Sequence, residues 1–469
     1  MTHAPTLAAP RAAVPRLLPV VTPAGVTRLP LLLVLGYVAL TFGLFLVWPV
    51  DWPIYYAQDW ERLIAYVTLC LATIGALAWT GSSGATRVTA PLPFLTPLLL
   101  MGALAAVALL APTSYTYTGR PPWMVMDALR DQGAAYRRLQ AQLTDSAGQH
   151  LGLALLRGAL APLTYAVLPL GILRWRTIGS SGRLAVFVTA ACSVVFSIMR
   201  GTDKEIADLF VAGVSAVFVS WGRSWAAGRR GGELVRRYWA WALAAVVFVY
   251  LAQGLYTERK DLRLNANRVA STTVCANNSQ ICADIENPWI AWLPPRERFG
   301  VSLFILSTCS GYYGLELAME KPFESSYGVG HSPVALTLYE AVTRDHTPHY
   351  RTYTWRNGEN GWPEEYYWST LVTWIANDVG FPGAVVVLGV IGYWWGRWWR
   401  EAAAGMSDPA AVLFALTTTA LFYFPANNQV FLLADGYLIL AVWALIWLWR
   451  RRADALSAAV TAPGEAQAQ

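Results

Sequence analysis

Charge is what this chain most conspicuously lacks. Only 14% of its 469 residues are Asp, Glu, Lys or Arg, against roughly 25% in a soluble globular domain. A soluble enzyme and a disordered chain are both excluded. Cysteine is scarcer still, with five in the whole chain, which is too few for a disulfide framework. No His/Cys cluster has zinc-ligand spacing, and neither a P-loop nor a dinucleotide fingerprint occurs, so no metal or cofactor is expected. Asp59-Trp60-Glu61 comes nearest to an acidic metal pair, and such a triplet arises easily by chance.

What fills the chain is apolar sequence. Hydrophobic residues make up 55% and the mean hydropathy is +0.38, the composition of a polytopic membrane protein. A bilayer-crossing helix needs about 20 mostly apolar residues. Ten stretches meet or approach that length: 29–50, 62–80, 91–112, 151–173, 183–199, 206–222, 238–256, 369–396, 408–426 and 430–449. The expected fold is all-α, a polytopic integral membrane protein with about ten transmembrane helices. Residues 1–28 are Pro/Ala-rich and basic without an apolar core, so the first span is expected to serve as its own uncleaved insertion signal. No internal repeat points to an inverted-repeat transporter.

The arginines orient the bundle. Segments 1–28, 81–90, 174–183, 223–237, 397–408 and 450–469 hold 17 arginines and five acidic residues, Glu233, Glu401, Asp408, Asp454 and Glu465. Those segments are net +12, and the rest of the chain is net −6. By the positive-inside rule the first set is cytoplasmic. The overall charge of +6 is then a topology signal, and nucleic-acid binding falls away. The expected organisation is a cytoplasmic tail at 1–28, helices one to seven within 29–256 with an outer loop at 113–150, a large periplasmic loop at 257–368, helices eight to ten within 369–449, and a cytoplasmic tail at 450–469. An amphipathic helix is expected from Met124 to Leu143. Counting 299–319 as an eleventh span would put Arg397, Arg400 and the Arg450–Arg452 triplet outside, so it reads as a re-entrant or interfacial helix of the large loop.

Chemistry-bearing residues gather on the outer side. Arg200-Gly201-Thr202-Asp203-Lys204-Glu205 joins spans five and six, with Asp208 one turn further on. A helix start with an Arg and a Lys suits a diphosphate, while the plain alternative is a hairpin whose charges snorkel to water. Arg157 falls inside span four, facing a cavity or snorkelling. Within the large loop, Pro294-Pro295-Arg296-Glu297-Arg298 precedes the apolar helix, Glu316, Glu320 and Lys321 follow within it, and Gly328-Val329-Gly330-His331-Ser332-Pro333 forms a glycine-flexed turn. A histidine or carboxylate here suits a general base. Cys275 and Cys282 lie outside, where oxidation to a disulfide is expected. Many of the 23 tryptophans crowd span ends as an aromatic belt, and Trp355, Trp362 and Trp368 offer faces on which sugars stack.

Four segments, RGTDKEIAD at 200–208, YGLELAMEKPFESSYGVGHSP at 313–333, WIANDVGFPGAVVVLGVIG at 374–392 and FYFPANNQ at 422–429, resemble the O-antigen repeat-unit polymerases of bacteria, which are GT-C-like membrane glycosyltransferases. The resemblance covers about 200–430. His331 stands where that family has an asparagine near its Gly-x-Gly turn, and it echoes the histidine of the related O-antigen ligases. The resemblance implies transfer of a growing glycan from undecaprenyl diphosphate to a lipid-linked repeat unit at the periplasmic face of the inner membrane. The partners it implies are an undecaprenyl-diphosphate-linked oligosaccharide, the lipid bilayer, a chain-length regulator and a flippase, with no metal and no cofactor. Arg200 and Lys204, joined by Arg157 and Arg298, become the diphosphate-binding residues. Glu316, His331 and Asp203 become candidates for the catalytic base, in open order, and Asp378 is expected to be structural. The alternatives are an O-antigen ligase or another lipid-linked-sugar glycosyltransferase, and a flippase or transporter. A flippase would place ionisable groups near the midplane of several spans, whereas here they gather at the outer surface, with Arg157 and Asp435 among the few inside spans.

Overall fold

The computed structural model describes residues 20–21, 27–52, 59–145, 151–229, 273–275, 281–364 and 367–461, with isolated positions between 232 and 254. Most of these residues are helical. Seven helices among them are long and apolar enough to cross a membrane: Leu29–Val47, Trp60–Ser82, Leu95–Thr118, Gly152–Leu173, Ser180–Arg200, Lys204–Ala226 and Leu371–Ala403. The chain is a polytopic membrane protein. Side chains such as Leu104, Leu184, Phe187 and Val386 are 62–71% exposed along these helices, as lipid-facing residues are, because hydrocarbon tails are as apolar as leucine.

These seven coincide with seven of the ten expected spans. The expected ninth is the 15-residue helix Asp408–Phe422. The expected tenth starts at Ala434 and continues for 28 residues to Thr461, through the Arg450–Arg452 triplet. The expected seventh, 238–256, lies almost wholly outside the described residues, as do most of 1–28 and the stretch 255–272. Segment 299–319 is no single span. It forms Pro295–Thr308 and Ser310–Met319, of 14 and 10 residues, meeting at Cys309. The second is buried from Ser310 to Ala318, and Tyr312 Oη donates to Val38 O (3.3 Å) of the first membrane helix.

Two expectations change in detail. The amphipathic helix expected from Met124 to Leu143 is two helices, Val125–Arg130 and Gln132–Asp145. Asp131 interrupts them because its carboxylate accepts from Ala134 N (2.8 Å) and starts the second one. The all-α expectation also omits two small sheets. Val20–Val21 pairs with Thr86–Arg87. Val50–Asp51, Cys282–Asp284 and Thr273–Cys275 form an antiparallel sheet with the middle segment at its centre, and the Cys275–Cys282 disulfide joins two of its strands. Strands of two or three residues are too short to leave an alternating pattern in sequence.

Packing is tightest where glycines let backbones meet. Helix Leu371–Ala403 lies along Trp60–Ser82. A Cβ on Gly392 would stand 2.6 Å from Ile74 O, and one on Gly396 2.0 Å from Ala78 O. This is the small-residue spacing by which membrane helices approach closely.

The arginine-rich segments meet at one end of the bundle. Arg28 donates to Ser82 Oγ (3.0 Å) and Ser83 Oγ (2.8 Å). Arg450 donates to Ala90 O (2.8 Å). Arg397 and Arg451 both pair with Glu401, at 3.4 and 3.5 Å. Arg174 and Arg223 both pair with Asp408, at 2.9 and 3.3 Å, and the Asp408 side chain has no exposed surface. Leu92 N also donates to it (3.2 Å). Asp408→Ala would leave two guanidinium groups without their counter-charge in a shielded site, a change that costs about 3–5 kcal/mol. The thermal midpoint of the detergent-solubilised protein, followed by size-exclusion fluorescence, should fall far more for this variant than for Arg451→Ala. An equal loss for the two would show that Asp408 is no hub.

Candidate functional site

At the opposite end, helix Leu371–Ala403 is broken. Gly380 has φ 68° and ψ 173°, a backbone conformation held almost only by glycine. Pro382 follows, where the next turn has no use for its missing N–H. The residues just before the break, Asn377 and Asp378, hold the turn 326–331. Asn377 Nδ2 donates to Gly330 O (2.8 Å) and its Oδ1 accepts from Tyr353 N (2.8 Å). Asp378 accepts four hydrogen bonds: from Ser326 Oγ (2.7 Å), Gly330 N (2.8 Å), His331 N (3.0 Å) and His331 Nδ1 (2.7 Å). A Cβ on Gly330 would lie 2.0 Å from Ser326 Oγ, so the turn closes only with glycine there.

The carboxylate fixes the imidazole. In the tautomer with the proton on Nδ1, the ring donates to Asp378 and leaves Nε2 as its acceptor nitrogen. The His331 side chain is 36% exposed and that of Asp378 7%. An accessible imidazole oriented by a shielded carboxylate is the arrangement of a general base.

Three cations from three helices stand nearby in the fold. Arg157 comes from Leu151–Leu173, Arg200 ends Ser180–Arg200, and Lys204 opens Lys204–Ala226. The two guanidinium groups share the same rings: Arg157 lies 5.4 Å from Tyr117 and 5.8 Å from Phe196, and Arg200 5.7 and 5.2 Å from them. Each cation has a carboxylate. Arg157 pairs with Asp435 (3.1 Å), Arg200 with Glu205, and Lys204 with Asp208 (2.7 Å). Arg200 Nε is buried and meets no acceptor.

One segment touches both groups. Tyr423 Oη donates to Lys204 O (3.3 Å), and Asn428 Nδ2 donates to His331 O (2.8 Å). Ser332 Oγ donates to Phe431 O (2.5 Å). Asp435 reaches Arg157, and two residues on the Tyr437 ring lies 5.9 Å from the His331 ring. Residues 423–437 thus join the imidazole to the cation cluster.

The remaining sequence candidates lie elsewhere. Arg298 donates to Leu293 O (2.7 Å), Ile285 O (3.3 Å) and Ala291 O (3.1 Å), and fastens the loop before its helix. Glu316 is 2% exposed and accepts from Asp59 N (3.1 Å); burial raises its carboxyl above the usual range. Asp203 occupies the N-cap position of Lys204–Ala226. Asp59 caps its own helix through Arg62 N (3.0 Å). No group of three or more His, Cys, Asp or Glu among the described residues could hold a metal. Sequence reasoning undervalued Asp378, which both braces the turn and orients His331. The signal for Arg157 and Asp435 was present, since two lone opposite charges in separate apolar stretches are the natural partners of one another.

A second histidine braces the same region. The helix Pro333–Thr343 starts directly after His331. Its Glu340 accepts from His349 Nδ1 (3.2 Å), while His349 Nε2 meets Glu364 (2.8 Å). Comparison with protein-family models, with characterised proteins and with solved structures finds no match.

The Glu364 hydrogen bond, partly opposed by burial, holds the His349 imidazolium above its ordinary 6.5. A raised histidine contributes stability that is complete below the ordinary value and is lost as pH rises through the folded one. Amide-exchange protection of 333–343 should therefore be highest below pH 6.5 and decline as the pH rises above it. In His349→Gln that pH dependence should vanish. An unchanged profile in the variant would assign the protection to other groups.

Proposed function

We propose that the protein is a membrane glycosyltransferase that joins repeat units carried on undecaprenyl diphosphate, at the periplasmic face of a bacterial inner membrane. The proposed topology has ten spans, with both termini cytoplasmic. What supports the orientation is that the arginine-rich segments share one end of the bundle while the His331 turn and the Arg157–Arg200–Lys204 cluster share the other. The reading rests on one observation above all: an imidazole oriented by a carboxylate is joined through 423–437 to a cluster of three cations.

The chemistry is a displacement at the anomeric carbon of the growing glycan. A hydroxyl of the acceptor repeat unit forms the new glycosidic bond, and the bond from the anomeric carbon to the diphosphate oxygen breaks. His331 Nε2 takes the hydroxyl proton, and Asp378 stabilises the imidazolium so formed. Undecaprenyl diphosphate departs with the electron pair. Arg200 and Lys204, with Arg157, stabilise the charge that develops on it, the arginines by bidentate contact. The unpartnered Arg200 Nε is a donor ready for a phosphate oxygen. Glu205, Asp208 and Asp435 keep the cations neutralised until the diphosphate takes their place.

An O-antigen ligase would use the same parts, and the histidine in the Gly-Val-Gly turn favours it as the second reading. Deletion separates the two by what accumulates. Loss of a polymerase leaves single repeats that still reach the surface acceptor, and this is the expected outcome. Loss of a ligase leaves long chains stranded on the carrier. Full-length surface glycan after deletion would discard both.

With purified protein in liposomes and a lipid-linked repeat unit, His331→Ala should lower turnover by about 10²–10⁴-fold, the usual contribution of a general base. Asp378→Asn should also lose most of it, while Glu316→Gln should keep most of it. Substantial turnover in His331→Ala together with its loss in Glu316→Gln would transfer the base to Glu316. Arg200→Ala and Lys204→Ala should each be severely impaired, and Arg200→Lys only partly restored. Near-normal polymer from both alanine variants would reduce this cluster to a snorkelling turn.

A further inference from the structure

Two of the most exposed aromatic side chains among the described residues, Trp289 at 81% and Trp292 at 76%, share one short loop. That loop is firmly built. Arg298 donates to the carbonyls of Ile285, Ala291 and Leu293 across it. Asn287 accepts from Trp289 N (3.0 Å), and Trp292 Nε1 donates to Trp289 O (3.0 Å). Two indole faces are thus held outward on a braced knuckle, at a cost in exposed apolar area that a loop in water has no reason to bear.

The knuckle is fastened to the end of a membrane helix. Helix Leu29–Val47 ends in an exposed residue, Val47 at 70%. Directly beyond it, Val50–Asp51 pairs with Cys282–Asp284, and Asp284 N donates to Pro49 O (3.0 Å). Trp48 Nε1 donates to Ser302 Oγ (3.1 Å), tying the next helix to the same place. Trp289 lies five residues beyond Asp284, a reach of roughly 17 Å at most. The headgroup layer extends about 5–8 Å beyond the hydrocarbon on each side.

We propose that the Trp289–Trp292 loop seats both indoles in the headgroup layer of the bilayer and pins the disulfide-bonded sheet to the membrane surface. Tryptophan is favoured in that layer because its ring is apolar while its N–H and dipole prefer a wet neighbour. The exposed Arg296, four residues beyond Trp292, suits the anionic phosphates of the same layer. The proposal stands independently of the catalytic reading.

The full-length protein carrying p-benzoylphenylalanine in place of Trp289, and separately of Trp292, is irradiated in nanodiscs of phosphatidylethanolamine and phosphatidylglycerol. The same replacement of lipid-facing Leu104, 71% exposed, serves as reference. Mass shifts of one phospholipid are expected at all three positions and should be lost in lipid-free amphipol. Absence of the shift at both tryptophan positions overturns the proposal, as do crosslinks to a second copy or to an added lipid-linked oligosaccharide in place of bilayer lipid. The unsubstituted protein gives a second measurement that needs no variant. Hydroxyl-radical oxidation of Trp289 and Trp292 should be low in nanodiscs and higher in amphipol, and equal oxidation in both overturns the proposal.

Discussion

A single carboxylate, that of Asp378, determines the shape of the end of the bundle opposite the arginine clusters. It accepts two backbone N–H groups and two side-chain donors from one turn, and hydrogen bonds to a charged acceptor are roughly twice as strong as neutral ones. Because the site is shielded, removing that acceptor would strand four donors at once. The break at Gly380 exists for the same reason: it ends the buried segment of the helix immediately after the two polar residues, so the carboxylate meets the turn and the remainder can cross the membrane. His331 inherits its orientation from this arrangement and makes no independent choice of rotamer.

Charge is handled differently at the two ends of the bundle. At the arginine-rich end, Asp408 and Glu401 each gather two arginines from separate helices. These pairs lock loops together and have no vacancy for a ligand. At the other end, the cations pair one-to-one with carboxylates, one of these pairs, Lys204–Asp208, within a single turn of helix. The side chains of these pairs keep 15–33% of their surface exposed, so they hold one another less firmly than a fully shielded pair does. The same residue types thus form shared clamps at one end and one-to-one pairs at the other, and the carboxylates are the more deeply buried at the clamp end.

The membrane character, seven of the long helices and the split of charges between ends were legible in the sequence because each is a sum over many residues. The hairpin RGTDKEIAD stood out for the same reason, with too many polar groups for its surroundings. The two-residue strands were not legible, nor was the division of 299–319 at Cys309, since both depend on what packs against them. The candidates for the base were only half legible. Glu316, His331 and Asp203 are equivalent on paper, and only the fold separates a carboxylate on a backbone N–H, a residue at an N-cap position, and an imidazole held by Asp378. The three carbonyls that Arg298 holds were not legible either, since carbonyl partners leave no trace in composition. Asp378 was read as structural, which is right for the turn and incomplete for the histidine.

The central claim is that the imidazole and the cation cluster act on one bound lipid diphosphate. A cryo-electron microscopy structure of the protein in nanodiscs with an undecaprenyl-diphosphate-linked oligosaccharide tests it most directly. The account predicts that phosphate oxygens lie within hydrogen-bond distance of Arg200 and Lys204, that Glu205 or Asp208 has turned away, and that the first sugar faces His331 Nε2. A diphosphate bound against Arg298, with Arg200 still on Glu205, would contradict it.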